Sequence, residues 1–333
     1  MRDKRNKERS MERIILAYLS EKKLNFWELA SQVPPMAELV KCLEKMEANK
    51  LVGVLNANLF LTDKGFKLAK KQGVSPRKTT NKNYSLNALD KKFLEKFKKF
   101  RLENVFNEKY DQLQLLPESV IKKVNVLKSK HDIDGKRIIC LGDDDMVGIA
   151  LALTKLPSEI TVLDIDKDII EYENEVFKKL KVKPKAKKCD LSKPIPTEFK
   201  NKYDVFITEP PDTVFGNSLF FSRGVECIKK QGGVGYIGVS ETDFGRKKFI
   251  DVQKNILKMG GLITDVYNKI EPYEIGTEKK WVFNLPEKFG WPKKPWFYAD
   301  LFRVEILEGA KPLFPGPVKK NISKELIETN IYC

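Results

Sequence analysis

Histidine is nearly absent from this 333-residue sequence, which contains only His131. That residue lies between Lys130 and Asp132 in a polar stretch, so we assign it no catalytic role. The 5 cysteines show no Cys-x-x-Cys spacing, and with one histidine they do not supply an ordinary zinc site. The sequence therefore predicts structural thiols and a site that requires no metal.

Long apolar runs are also missing, since no stretch approaches the roughly 18 residues that a membrane-spanning helix needs. The N-terminal residues are charged and include no apolar segment of the signal-peptide type. These two absences predict a cytoplasmic protein without a membrane segment. A composition of 32% charged and 41% hydrophobic residues is typical of a globular chain of about two domains.

Negative charge is scarce only in the first part of the chain. The formal net charge is +16, and residues 1–136 hold 30 Lys+Arg against 17 Asp+Glu. A basic N-terminal part can contact nucleic acid. Lysine dominates over arginine throughout, which is typical of thermophile proteins and of AT-rich genomes. The net charge alone therefore does not show whether the chain binds nucleic acid.

The N-terminal part has the pattern helix, helix, helix, hairpin. The predicted hairpin strands are residues 51–55 and 59–61, and we predict a small winged-helix-like α+β domain over residues 1–72. Its third helix could read DNA. That helix carries Glu38 and Glu44 among its lysines, which is poor chemistry against phosphate, so we favour an accessory role.

The rest of the chain alternates strands with helices, which predicts a parallel sheet. We expect a linker and helical connection over 73–133, and a mobile, proline-rich tail over 309–333. Between them, residues 134–308 are predicted to form an α/β, Rossmann-like domain of the methyltransferase type, with a mostly parallel sheet. Its predicted strands are 138–141, 160–163, 185–188, 203–208, 233–239, 262–270, 281–285 and 301–307.

An acidic turn after the first of these strands is the main basis for predicting the ligand. Such turns are usually rich in glycine, because backbone amides approach an anionic ligand there. Here Gly142 is followed by Asp143, Asp144 and Asp145, which would repel a carboxylate and attract an ammonium or sulfonium. The alternative is that the aspartates cap the next helix, but capping needs only one of them.

Acidic residues also stand at the ends of later strands, where ligands of parallel sheets bind. Asp164 is placed to accept hydrogen bonds from ribose hydroxyls, and Asp190 from an adenine amino group. Glu209 and Asp212 follow the next strand. The ordered set of acids indicates an adenosyl ligand that carries positive charge.

The turn at 142–145 and the motif Glu209-Pro210-Pro211-Asp212, behind a winged-helix-like N-terminus, resemble the N(4)-bis(aminopropyl)spermidine synthases, the branched-chain polyamine synthases of archaea and thermophiles. More loosely, they resemble linear spermidine synthases, whose turn has an acid where Asp145 stands. The sequence departs from the linear enzymes at two points, because Asp143 and Asp144 replace glycines and Glu209 replaces the usual aspartate.

The resemblance implies transfer of an aminopropyl group from decarboxylated S-adenosylmethionine to a polyamine, with no other cofactor, by a homodimer. It implies that Glu209 acts as base and acceptor anchor, Asp212 as a second anchor, and Asp145 as partner of the donor ammonium. The remaining candidates divide into a donor set and an acceptor set. The donor set is Gly142, Asp143, Asp144, Asp164 and Asp190, and the acceptor set adds Tyr110, Asp111, Gln112 and Tyr298.

Tyr298 belongs to an aromatic connection over 289–298, for which core packing is the default interpretation and a ligand pocket the alternative. Two other functions stay open. An S-adenosylmethionine-dependent methyltransferase acting on nucleic acid is suggested by the acid before Pro210-Pro211, although Asp212 then replaces the aromatic residue that stacks on a flipped base. A polyamine-sensing winged-helix regulator would bind the ligand without turnover.

Overall fold

An N-terminal unit of helices and a small antiparallel sheet begins the chain. The computed structural model describes residues 2–33, 36–79, 86–103, 106–107, 110, 112–181, 185–274, 287–290, 292–293 and 295–319. The small sheet has the strand order β1-β3-β2. The elements of this unit are α1 (Arg2–Glu21), β1 (Leu24–Asn25), α2 (Phe26–Ala30), α3 (Met36–Ala48), β2 (Val52–Leu55), β3 (Asn58–Leu61) and α4 (Asp63–Lys71).

Local capping explains where these elements begin. The Asn25 side chain accepts a hydrogen bond from Glu28 N, and the Glu28 carboxylate accepts one from Asn25 N, so α2 starts with a capping box. Thr62 caps α4 through a single bond, which its side chain accepts from Gly65 N. Three helices and the hairpin follow in the predicted order, and the winged-helix assignment stays a prediction.

The second part of the chain alternates strands and helices around a large sheet. It starts with a helical stretch and a two-stranded pair, after which the parallel strands begin. The elements are α5 (Ala88–Lys98), β4 (Phe106–Asn107), β5 (Gln112–Leu113), α6 (Pro117–Ser129), β6 (Arg137–Leu141), α7 (Val147–Thr154), β7 (Glu159–Asp164), α8 (Lys167–Lys179), β8 (Lys185–Lys188), β9 (Val205–Thr208), α9 (Val214–Cys227), β10 (Gly233–Val239), α10 (Glu241–Lys258), β11 (Gly261–Pro272) and β12 (Tyr298–Ile306).

Within the described residues, the large sheet has seven strands in the order β11-β12-β10-β9-β6-β7-β8. Strand β12 runs antiparallel to both of its neighbours, while β6 pairs in parallel with β7 and β9. The predicted α/β class with a mostly parallel sheet is therefore confirmed. The strand predicted at 281–285 lies outside the described residues.

The strand order reverses between β6 and β9, because β7 and β8 lie on one side of β6 while β10 and β12 lie beyond β9. Loops at the carboxyl ends of such neighbouring strands diverge to opposite faces of the sheet and leave a crevice. The acidic turn follows β6 and the Glu209 motif follows β9. The topology therefore brings both motifs to this crevice.

Aromatic packing joins the N-terminal unit to the chain segment that precedes β12 of the large sheet. The rings of Phe26 and Phe289 stack with centroids 4.4 Å apart, and those of Trp27 and Trp296 lie 4.6 Å apart. The indole N–H of Trp27 donates to the Gly290 carbonyl at 3.0 Å. For these members of the aromatic connection, core packing is confirmed over the ligand-pocket alternative.

Helix α6 lies just before the expected domain boundary at residue 134. It lies against α7 and β11, and most of its side chains are buried. The helix therefore packs against the elements that follow residue 134, which a helical period alone does not show. The domain boundary at residue 134 stays a prediction. In the described part of the chain, no helix is long and apolar enough to cross a membrane.

Candidate active site

The acidic turn links β6 to α7 through two left-handed residues, Gly142 with φ 74° and Met146 with φ 61°. Asp143 is the aspartate that caps the helix, since its two carboxylate oxygens accept bonds from Val147 N and Gly148 N, both at 2.7 Å. Its side chain is buried and committed to these amides. Its contribution to the predicted donor site is therefore to shape the turn.

Behind the turn, Asp143 meets a second buried carboxyl group that the sequence did not reveal. Glu173 of α8 is fully buried, and a Cβ added to Gly148 would lie 2.8 Å from Asp143 Oδ2 and 3.3 Å from Glu173 Oε1. Burial and the neighbouring Asp143 raise the pKa of Glu173 well above its usual value. Burial also raises the pKa of Asp143 to about 6. Glu173 and Asp143 share a side-chain hydrogen bond, and two carboxyl groups can form one only when one of them holds a proton.

Glu173→Gln should make the stability of the protein depend less steeply on pH between pH 5 and 8. A buried acid with a raised pKa keeps its proton in the folded state, so stability falls as pH rises above the unfolded pKa of about 4.3. Each retained proton contributes a slope of up to about 1.4 kcal/mol per pH unit. The amide donates to Asp143 at every pH, so the contribution of Glu173 to this slope should disappear between pH 5 and 8 in urea unfolding, while the other buried acids keep theirs.

The matched control is Glu175→Gln, which removes an exposed carboxylate from the same helix. It should leave the pH dependence of stability as in the wild type. A Glu173→Gln variant that keeps the full wild-type slope would contradict the shared proton.

The other donor candidates lie at the ends of β7 and β8. Asp164 is buried and accepts bonds from Asp143 N at 2.8 Å and Asp166 N at 2.7 Å, so it ties the acidic turn to β7. Asp190 is partly buried and accepts from Ser192 N at 3.0 Å. Partial burial opposes ionisation of Asp190, but the bonds from Ser192 prevail and hold its pKa below the usual value. Asp190 is therefore a stable hydrogen-bond acceptor in the predicted adenine position.

The last two aspartates of the turn carry raised pKa values. Asp145 is buried and accepts a bond from Leu115 N at 2.6 Å, and burial raises its pKa to about 7. Asp144 is partly exposed, and burial together with the charges of Asp145 and Asp164 raises its pKa well above the usual value. The pKa of a carboxyl group rises in this way when the group is buried with too few positive charges around it. A cationic ligand would supply that charge.

Glu209 lies at the end of β9 within a set of groups from other elements. Its Oε1 is 2.5 Å from the Lys123 ammonium of α6, and its Oε2 accepts from the Tyr273 hydroxyl at 3.0 Å. Lys123 also pairs with the fully buried Glu271 of β11 at 2.9 Å. A Cβ at Gly238 would lie 2.0 Å from Glu209 Oε2, so the absence of a side chain there makes room for this carboxylate.

Asp212 lies beside the same group of residues. It is partly buried just before Thr213, which caps α9 through a bond from Gly216 N at 2.8 Å. Burial raises the pKa of Tyr273, and the nearby charges of Glu209 and Asp212 add to the rise. The two predicted acceptor anchors therefore face one tyrosine.

The acceptor candidates from the β5 region are only partly described. Tyr110 is partly buried and Gln112 is buried, while Asp111 lies outside the described residues. The side-chain amide of Gln114 donates to the Asp144 carbonyl at 2.8 Å, which brings this segment against the acidic turn. Tyr298 instead donates its hydroxyl to the Pro295 carbonyl at 2.9 Å. Its hydroxyl is thus committed to the local chain.

A buried arginine holds part of the tail that was expected to be mobile. Arg223 of α9 donates to the carbonyls of Leu191 at 2.9 Å, Phe314 at 2.6 Å and Gly316 at 3.0 Å. These bonds hold residues 314 and 316 against α9, which composition alone does not show, because a buried guanidinium needs acceptors. The mobility of the tail over 309–333 stays a prediction. The same side chain fixes the loop that follows Asp190.

Comparison with known proteins agrees with this geometry. Residues 89–328 match the family model described as branched-chain polyamine synthase A C-terminal domain. The N(4)-bis(aminopropyl)spermidine synthase of Methanocaldococcus jannaschii is 28% identical over 326 residues, which cover 91% of this chain and 89% of that protein. The enzyme of the same name from Thermococcus kodakarensis is 32% identical over 279 residues, which cover 77% and 76% of the two chains.

A solved structure extends the likeness to three dimensions. It is the branched-chain polyamine synthase from Thermus thermophilus in complex with N4-aminopropylspermidine and 5'-methylthioadenosine. The TM-score is 0.79 at 25% identity, and the match covers 94% of this chain and 91% of that one.

Proposed function

The chain belongs to the branched-chain polyamine synthase family, and we propose that it transfers aminopropyl groups from decarboxylated S-adenosylmethionine to the secondary amine of spermidine. The observation that carries the proposal is the cluster of Asp144, Asp145 and Glu209 at the crevice, with raised pKa values in the acidic turn. Such a cluster suits a donor that has a sulfonium and an ammonium but no carboxylate.

The reaction is a displacement at carbon. The neutral acceptor amine attacks the aminopropyl carbon that is bound to the sulfonium, a C–N bond forms, and the C–S electron pair returns to sulfur. Methylthioadenosine leaves as a neutral thioether, and the acceptor nitrogen carries the positive charge until a proton departs. Holding both reactants in line supplies much of the rate enhancement.

Glu209 and Asp212 are the proposed acceptor anchors, and Glu209 is the proposed base. Lys123 and Tyr273 orient its carboxylate toward the crevice. Asp145 is the proposed partner of the donor ammonium, and its pKa of about 7 also suits proton exchange near neutral pH. Asp164 and Asp190 are proposed to hold the ribose and the adenine.

Donor selection tests the acidic turn directly. Decarboxylated S-adenosylmethionine should bind about 100-fold more tightly than the intact form in calorimetric titrations, because a carboxylate beside the turn meets like charge. Asp144→Asn should reduce the ratio of the affinities for the decarboxylated and the intact donor. The exposed control Asp168→Asn should leave this ratio unchanged. Equal affinity for both donors would favour the methyltransferase alternative.

We propose an accessory role for the N-terminal unit. Its third helix, α3, lies against α10 of the catalytic domain, and Glu47 of α3 pairs with Lys288. A recognition helix must be free to enter the major groove, so these contacts favour the accessory role over DNA binding. The homodimer and the cytoplasmic location stay predictions, and light scattering of the purified protein tests the dimer.

A further inference from the structure

A lysine lies fully buried inside the acidic crevice. The side chain of Lys123 is 0% exposed, and its ammonium contacts Glu209 at 2.5 Å and Glu271 at 2.9 Å. Buried charges occur in folded proteins when they are paired and hydrogen-bonded. Two carboxylates from different strands therefore fix the ammonium at one point beside the proposed acceptor anchor.

The titratable groups that face Lys123 come from four elements. They are Asp145 from the acidic turn, Cys140 from β6, Glu209 from the end of β9 and Glu271 from β11. Burial lowers the pKa of Lys123, but the carboxylates raise it more, so the net shift is upward. Burial raises the pKa of Cys140 well above its usual value, which keeps that thiol neutral. The two ion pairs and this upward shift together favour the charged form of Lys123.

The positive charge of Lys123 affects the protonation state of the acceptor amine in the proposed reaction. The attacking amine must be neutral, yet the carboxylates that attract a polyamine also stabilise its protonated form and raise its pKa. A fixed ammonium in the same crevice has the opposite effect, because a neighbouring like charge disfavours protonation. The shift from one neighbouring charge is commonly about one to three pKa units.

We propose that Lys123 is a positioning residue whose fixed ammonium holds Glu209 in place and disfavours protonation of the acceptor amine. The inference rests on the proposed aminopropyl transfer and adds a role that is distinct from donor binding. It also explains why the site contains a lysine ammonium although its proposed ligands are themselves positively charged. The acidic residues attract the polyamine, and Lys123 keeps its reacting nitrogen able to attack.

The experiment measures the single-turnover transfer rate from pH 6 to 10 with decarboxylated S-adenosylmethionine and spermidine. Lys123→Gln should move the apparent pKa of the rate upward by about one unit or more and lower the rate at pH 7 about tenfold. The KM for spermidine should not rise, because the protonated acceptor still meets the carboxylates. Lys123→Arg keeps the charge and should restore the wild-type pH profile.

Lys128→Gln is the matched control, since it removes an exposed charge from the same helix. Its profile should be that of the wild type. If Lys123→Gln does not fold, the double variant Lys123→Met/Glu271→Gln replaces it, because it removes both members of the buried pair.

The outcomes separate the two proposals. A wild-type protein that transfers nothing contradicts the proposed function itself. If the wild type transfers aminopropyl groups and Lys123→Gln leaves the apparent pKa of the transfer rate unchanged, only the proposed role of Lys123 is overturned. A uniform loss of rate at all pH values would show a purely structural contribution and would also overturn it.

Discussion

Glu209→Gln should lower the rate of aminopropyl transfer by about 10²-fold to 10⁴-fold, the usual contribution of a positioned base. The amide has nearly the same shape as the carboxylate but cannot take a proton. It also loses the ion pair with Lys123, which keeps its contact with Glu271. Because that second contact remains, circular dichroism should show a native fold, so the loss can be attributed to chemistry.

The control for this variant is Glu308→Gln, which neutralises an exposed carboxylate in the same chain and should transfer at the wild-type rate. Near-normal turnover by Glu209→Gln would remove Glu209 as the base. A parallel Asp145→Asn variant then identifies the alternative, since Asp145 has a pKa of about 7 and lies in the same crevice.

Arg223→Leu should cost about 3–5 kcal/mol of unfolding free energy, the usual effect of removing one partner from a buried charged network. The carbonyls of Leu191, Phe314 and Gly316 lose their donor, and Glu226 loses its ion pair with the guanidinium while its bonds from Lys200 and Ile195 N remain. The loop after Asp190 should loosen as well. We therefore expect a raised KM for the donor with a nearly unchanged kcat.

Urea unfolding and steady-state kinetics measure the two effects separately. Arg223→Lys should not rescue stability, because one ammonium cannot reach carbonyls that a planar guanidinium spans. Arg13→Leu, at an exposed position of α1, controls for loss of charge. Unchanged stability together with an unchanged donor KM would refute the view that Arg223 stabilises the protein and holds the loop after Asp190 for donor binding.

The sequence predicted the parts of the molecule that depend on local pattern. The strand at 233–239 coincides with β10, and the strand at 185–188 with β8. Both are short runs bounded by turns, for which residue pattern and strand length are informative. The acids at the strand ends could be named because the carboxyl ends of parallel strands meet at one edge of the sheet.

The sequence did not reveal the buried partners Lys123, Glu173 and Glu271. Each is an ionisable residue at a position where the pattern calls for an apolar one. Lys123 lies three residues after Val120 and four before Leu127, on the buried face of α6. A lysine at a position where the helical pattern predicts an apolar residue was the one feature of the sequence that pointed to a buried ion pair. Its meaning depends on Glu209, 86 residues away in the chain, and only the folded structure brings the two together.

Product analysis tests the central claim most directly. Purified protein is incubated with spermidine and either decarboxylated or intact S-adenosylmethionine, and the products are identified by mass spectrometry. We predict methylthioadenosine and a polyamine heavier by one or two aminopropyl groups, with the decarboxylated donor only, and fragmentation should place the new groups on the secondary amine. Consumption of the intact donor only when nucleic acid is added would contradict this account, and so would binding of both substrates without any product.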